Sequence, residues 1–331
     1  MVKESTLPWV SLALGLVTFA LALKDVHWHL RRYLLPSIQQ RMMALLFCSG
    51  AFAVFNGLLA LLPRSWSYLS DLMTVSRCFW VLNYVQLLLG YFHIRGWGGR
   101  TENIHFAGAV LESADIPPQA NAPWYLIPCA GAVRFKPGRS WLFWAVFRIE
   151  CFVYGAVLLS VIKSILDQNG KLLRYKGDGC SYRRPCTTTT FWVFSGVALA
   201  IVAFGVSGVL PIISLLNPLL LPARRQIVHL RFALFLFFVP FHAALQTIIV
   251  GAVLAATVGE HTAIVALAFA TSIEMCIFQV ASHFAYIPRD VPGLPDRPTA
   301  EDIERTLEML EVTVDVGDMA SKFVRPSGCF N

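Results

Sequence analysis

Five charged side chains lie inside long apolar stretches of this sequence: Asp71, Arg77, Arg148, Glu150 and Glu274. In bilayer hydrocarbon such a charge costs at least about 2.5–3.5 kcal/mol near the centre, so it is expected to face protein or water. Asp71 lies near the outer end of its stretch. The other four lie roughly 10–18 Å from an end of theirs, at about 1.5 Å per residue. In a core about 30 Å thick, that depth is close to the middle.

Two interpretations of the four mid-depth charges stay open. Arg148 and Glu150 are two residues apart, so they point to different sides of one helix and each needs a partner from another segment. In the functional interpretation the charges form one polar site for the anionic head of a solute, with Arg77 or Arg148 as its charge partner. In the structural interpretation they form arginine–glutamate pairs that fix helix packing.

Three uncharged or weakly basic residues extend the candidate solute site: Asn83, His242 and Gln246. His242 lies one turn from Gln246 and just after Pro240, which predicts a polar face at a kink. Such a face lines a path or, equally, holds a packing histidine. Asn83 is expected to form an interhelical hydrogen bond, with cavity lining as the alternative.

A basic cluster follows the first apolar stretch and contains His29, Arg31, Arg32 and Arg41. Basic residues at this position predict anchoring to anionic headgroups. A gate for the solute is the alternative function of the same cluster.

The elements that must position these residues follow from composition. The chain is 56% hydrophobic and 14% charged, whereas a soluble domain has roughly a quarter of its residues charged. Apolar blocks this long predict membrane-spanning helices, hence an all-α polytopic membrane protein. The seven predicted spans are 7–23, 42–62, 68–92, 141–162, 191–216, 232–258 and 262–285. They form one transmembrane domain over 1–290, and the tail 291–331 carries a short amphipathic helix.

The distribution of basic residues predicts the orientation. Segments 24–41, 93–140, 217–231 and the tail hold 17 of the 27 Lys and Arg residues. The positive-inside rule then places the N-terminus outside and the C-terminus in the cytosol. On this orientation Cys180 and Cys186 share an extracellular loop, where they form a disulfide or stay two free thiols.

Composition and motifs also weigh against other functions. The net charge of +7 lies in short loops between apolar blocks, where it suits headgroups rather than nucleic acid. A seven-span zinc hydrolase needs clustered histidines, and neither His-x-x-x-His nor His-Glu-x-x-His occurs. No enzyme activity, cofactor or metal is therefore expected. The sequence also lacks the Asp/Glu-Arg-Tyr and Asn-Pro-x-x-Tyr motifs of classical seven-span receptors.

Several segments together resemble one family, the organic solute transporter subunit alpha with its transmembrane protein 184 relatives. The resemblance is carried in order along the chain by residues 29–41 (HLRRYLLPSIQQR), Gly96-Trp97-Gly98-Gly99-Arg100, Pro128-Cys129, Arg231-Phe232-Ala233-Leu234-Phe235, Ser272-Ile273-Glu274-Met275 and Ala281-Ser282-His283-Phe284-Ala285. It covers about residues 8–290.

The resemblance implies a seven-span subunit with an exterior N-terminus, in the plasma membrane or an endomembrane. It also implies facilitated movement of amphipathic organic solutes, such as bile acids, steroid conjugates or lipid-like anions. The expected partners are a lipid or sterol-like small molecule and a single-span beta-type subunit, and assembly into a homo-oligomer is left open. The alternative is a non-classical seven-span lipid-binding receptor or scaffold.

Overall fold

The computed structural model describes residues 6–31, 36–62, 65–93, 139–171, 173–174, 186–219, 222–242, 254 and 260–286. Its elements are α1 (Leu7–Leu30), α2 (Pro36–Leu61), α3 (Trp66–His93), α4 (Arg139–Gln168), β1 (Leu173–Arg174), β2 (Cys186–Thr187), α5 (Thr189–Leu219), α6 (Pro222–Leu236) and α7 (Glu260–Ala285). The two short strands pair antiparallel between α4 and α5.

Within these ranges six helices are long and apolar enough to cross a bilayer. The stretches are Leu7–Leu30, Ile38–Leu61, Tyr68–Leu89, Leu142–Gln168, Thr189–Leu210 and Thr262–Ala285. Ile227–His242 is a shorter apolar helix, and most of the remaining predicted sixth span lies outside the described residues. The prediction of a helical, multi-pass membrane protein is thus confirmed, and the orientation of the termini stays a prediction.

Two helices extend beyond their predicted ends because polar partners satisfy the extra turns. α1 continues to Leu30, and its added segment contains Asp25, which accepts hydrogen bonds from α7. α4 continues to Gln168, where Ser160 donates to Asp71 Oδ1 at 2.5 Å. Lys163 donates to Ser70 in the same region. Asp71 is therefore tied to α4 rather than simply solvated.

The helices pack in two connected groups. α1, α2 and α7 contact one another, α3 lies between α2 and α4, and α5 packs on α4 while α6 contacts α5 and α7. Glycine allows the closest approaches. A Cβ on Gly15 would lie 2.5 Å from the Ala53 carbonyl oxygen, and one on Gly208 would lie 2.5 Å from that of Ala145.

An aromatic stack joins α3, α6 and α7 in the core. Trp80 stacks on Tyr84 with centroids 5.2 Å apart, and Tyr84 stacks on Phe235 at 5.3 Å. Trp80 also contacts Phe238 at 5.3 Å, and Phe238 stacks on Phe278 at 5.2 Å. Two buried arginines lie along this stack, Arg77 toward one end and Arg231 toward the other.

Candidate functional site

Arg77 is buried in α3, with 9% of its surface exposed. Its Nη2 donates to His242 Nδ1 at 3.0 Å. The guanidinium carbon lies 5.3 Å from the Phe52 ring centroid and 5.9 Å from that of Phe238. Among the described residues no carboxylate lies within salt-bridge distance of Arg77. A histidine thus occupies the position where a glutamate was predicted.

His242 links Arg77 to α7. A guanidinium has no acceptor, so His242 Nδ1 must be unprotonated and the ring proton lies on Nε2. That nitrogen donates to Thr271 Oγ1 at 3.3 Å. Thr271 and Glu274 are three residues apart on α7 and share a face. The neutral histidine therefore joins Arg77 to the α7 face that carries the predicted Glu274.

The backbone that presents His242 is a wide turn. Residues 237–242 continue α6 as a π-helix around Pro240. Proline has no N–H to donate to the helix ladder, and π-turns frequently mark functional sites. The predicted irregularity at Pro240 therefore takes the form of π-turns.

Arg148 lies on α4 and faces α5. It is 7% exposed, its Nη1 donates to Ser207 Oγ at 3.4 Å, and its guanidinium carbon lies 5.4 Å from the Phe204 ring centroid. Gly208 follows Ser207, and a Cβ there would lie 3.1 Å from Arg148 Cβ. The absence of a side chain at residue 208 allows the two helices to bring Arg148 against Ser207.

An apolar groove of about 520 Å³ lies beside these residues. Its lining consists of Leu199, Val202, Ala203, Val206, Ser207 and Leu210 of α5 with Pro240. Ser207 is the residue that Arg148 contacts, and Pro240 precedes His242 by two positions. The groove therefore has an apolar wall with cationic residues near two of its lining positions.

The other predicted solute-site residues lie in several places. Glu150 and Glu274 are partly buried in α4 and α7. Asn83 Oδ1 accepts from Arg41 Nη1 at 3.4 Å, and its amide donates to the Phe79 carbonyl at 2.9 Å. Gln246 lies outside the described residues. The structure thus brings Arg77 to His242 and Arg148 to α5, while the coupling of all four charges stays a prediction.

The predicted headgroup residues also separate. His29 is buried, and its Nε2 donates to the Tyr286 carbonyl at 2.6 Å. Arg31 is exposed and Arg41 is partly buried, whereas Arg32 lies outside the described residues. Of the predicted disulfide, Cys180 lies outside them too, and only the backbone of Cys186 is described, in β2. That disulfide stays a prediction.

A polar network between α1, α2 and α7 was missed from the sequence. His283 Nδ1 donates to Asp25 Oδ1 at 2.7 Å, and Gln279 Nε2 donates to Asp25 Oδ2 at 3.3 Å. Ser49 Oγ donates to Gln279 Oε1 at 2.8 Å. Asn56 extends the network, donating to the Ala268 carbonyl at 2.7 Å. The signal that could have found it is the four-residue spacing of Gln279 and His283, which puts both on one helix face.

Arg231 was likewise not predicted as a site residue. It is 0% exposed, its Nε donates to the Ala285 carbonyl at 2.6 Å, and its guanidinium carbon lies 5.1 Å from the Tyr286 ring centroid. In the sequence it counts only toward the charge bias and a short motif. Its neighbours follow α7, more than 50 residues later, so the sequence gives no sign of its burial.

Comparison with known proteins gives one match. A family model described as organic solute transporter Ostalpha matches residues 7–291, which includes all the described helices. No curated protein and no solved structure matches the chain.

Proposed function

Because the chain belongs to the organic solute transporter Ostalpha family, we propose that it moves amphipathic organic anions across its membrane, down their gradient. The solute class proposed is steroid conjugates, bile acids or similar lipid-like anions. Family membership supports the transport of solutes, and the specific solute rests on the chemistry of the buried arginines and the groove.

The observation that carries the proposal is the environment of Arg77. A buried guanidinium loses its hydration, at a cost of several kcal/mol even after the protein relaxes. Proteins normally offset that cost with a carboxylate, but the hydrogen bond and ring contacts found for Arg77 come from His242, Phe52 and Phe238. The sulfate or carboxylate of a solute would supply the missing negative charge. The same positive charge would repel cations.

The groove between α5 and α6 suits the apolar body of such a solute. Small-molecule sites are typically about 300–1,000 Å³ and mostly apolar, with a few placed polar groups. The groove has about 520 Å³ and an apolar wall, and Arg148 contacts its Ser207. An anion bound here would lie with its rings on α5 and its charge near Arg148.

Uptake by cells tests this proposal. We compare a labelled steroid sulfate with the unconjugated steroid in cells that express the chain, and we normalise uptake to surface abundance. Arg77→Gln and Arg148→Gln are expected to reduce sulfate uptake per surface molecule, while Lys171→Gln, at an exposed position after α4, serves as the control. Unchanged sulfate uptake in both arginine variants would reject the site.

We also propose an exterior N-terminus, a cytosolic C-terminus and a single-span beta-type partner. The basic-loop bias supports the orientation, and the family resemblance supports the partner. Epitope tags at the two ends are expected to be reachable from opposite sides of intact cells. Uptake is expected to rise when a small single-span subunit is co-expressed. Tags reachable from the same side would contradict the orientation.

A further inference from the structure

The basic end is the end of the bundle where α1 and α7 finish and α6 begins, with His29 and Arg231 buried there. Two tyrosine hydroxyls are also buried at this end. Tyr84 of α3 is 0% exposed and Tyr286, just after α7, is 2% exposed. Neither hydroxyl has a hydrogen-bond partner within the described part of the chain. A buried hydroxyl without a partner loses its water with no compensation, so each one calls for an explanation.

Arg231 places a positive charge beside both hydroxyls. Its guanidinium carbon is 5.1 Å from the Tyr286 ring centroid. The two phenols and the guanidinium are close enough to interact electrostatically with one another. A guanidinium with hydroxyl donors beside it is the chemistry that binds carboxylate, sulfate or phosphate oxygens.

Packing explains part of this arrangement but not the hydroxyls. Arg231 and His29 donate to the carbonyls of Ala285 and Tyr286, so they cap the end of α7, where helix carbonyls lack partners. The Tyr84 ring stacks in the aromatic stack. Phenylalanine would make the same ring contacts at either tyrosine position. Neither capping nor stacking therefore requires the two hydroxyls.

We propose that Tyr84, Tyr286 and Arg231 form a second binding site, which takes the anionic headgroup of an amphipathic molecule. The headgroup is a carboxylate, sulfate or phosphate, and it comes from a transported solute or from a lipid. Burial raises the pKa of the Tyr286 phenol, so at neutral pH this hydroxyl keeps its proton and can donate it to the anion.

This site is distinct from the one at Arg77. Arg231 and His242, the partner of Arg77, are separated by 11 positions of continuous helix, which is about 16 Å along the axis. The second site goes beyond the proposed function, since a resident lipid would occupy it even in a chain that transports nothing.

Thermal unfolding of the purified full chain in phosphatidylcholine nanodiscs tests the proposal. The three probes are a steroid sulfate, phosphatidic acid included in the bilayer, and inorganic phosphate. The steroid sulfate or phosphatidic acid is expected to raise the unfolding temperature of the wild type. Tyr84→Phe and Tyr286→Phe are each expected to weaken the response by about 10- to 100-fold in concentration, the effect of losing a hydrogen bond to a charged group.

The same variants have an opposite expectation without ligand. Removing a hydroxyl that has no partner should leave the unfolding temperature unchanged or raise it. Tyr154→Phe is the matched control, because Tyr154 is 59% exposed on α4 and should alter neither measurement. Titrations are repeated with Arg77→Gln as the starting protein, so that binding at Arg77 does not contribute.

Three results would overturn the second site. They are no response of the wild type to any probe, an undiminished response in both phenylalanine variants, or a lower unfolding temperature of those variants without ligand. The last result would mean that the hydroxyls are hydrogen-bonded within the protein. A response to phosphatidic acid but not to the steroid sulfate identifies a lipid site, and the reverse identifies a solute site. A response that survives Arg77→Gln supports this site even where the transport proposal fails.

Discussion

Replacing Arg77 by glutamine separates a solute-binding arginine from a structural one, because the two roles predict different effects on stability. If Arg77 were paired with a carboxylate, its loss would strand a buried negative charge at a cost of about 3–5 kcal/mol. The structure shows His242 as its hydrogen-bond partner and two phenylalanine rings beside it. No carboxylate among the described residues would be stranded by the substitution.

The magnitudes nearly cancel for stability. Arg77→Gln loses two cation–π contacts, worth about 0.5–2 kcal/mol each, and a charged hydrogen bond to His242, worth about 1.5–3 kcal/mol. It also removes the burial of an unpaired charge, a cost of several kcal/mol. The free energy of unfolding should therefore change by less than about 2 kcal/mol. For an anionic solute, losing a buried charge partner costs at least about 2 kcal/mol, or roughly 30-fold in affinity.

The assay combines thermal unfolding of purified protein with uptake of a labelled steroid sulfate per surface molecule. Arg77→Gln is expected to unfold near the wild-type temperature and to lose most sulfate uptake. Arg77→Lys is expected to fall between, since lysine keeps the charge but loses the planar fork and its stacking. A large loss of stability together with unchanged uptake per molecule would refute the reasoning and make Arg77 a packing residue.

Three further predictions concern the scaffold. Gly208→Ala should destabilise the chain by about 1–3 kcal/mol, because α4 and α5 must separate. Gly196→Ala on the same helix, where a Cβ meets nothing within 4 Å, should gain about 0.5–1 kcal/mol; equal thermal unfolding shifts would contradict this. Asp25→Asn should cost about 1.5–3 kcal/mol through weaker hydrogen bonds to α7, and an unchanged unfolding temperature would argue against the network. Non-reducing peptide mapping should find Cys180 linked to Cys186, whereas alkylation of both thiols would rule the disulfide out.

Hydropathy located most of the helices, because a bilayer leaves few alternatives for apolar stretches of this length. It misplaced the ends of α1 and α4. Asp25 and Lys163 read as loop residues in the sequence, yet each lies in a helix where side chains from another helix satisfy it. The partner of Asp25 is 258 residues away, and no local pattern reveals such a pairing.

The site was predicted in part for the same reason. A charge in an apolar stretch is visible in the sequence, so Arg77 and Arg148 were found, and the position after Pro240 drew attention to His242. Which residue meets which arginine depends on helix rotation and tilt, which single-sequence periodicity does not fix. Arg231 illustrates the limit, since a basic residue near a span end reads as a headgroup anchor and is fully buried in the structure.

Net movement of a steroid sulfate by the purified chain tests the central claim most directly. The chain is reconstituted into vesicles, with and without a single-span partner, and a labelled steroid sulfate is placed on one side. Facilitated transport predicts that the label moves down its gradient until the two sides are equal, and that Arg77→Gln abolishes the movement while Lys171→Gln does not. Saturable binding of the sulfate with no net movement, in vesicles with and without the partner, would contradict transport and support a lipid-binding receptor or scaffold.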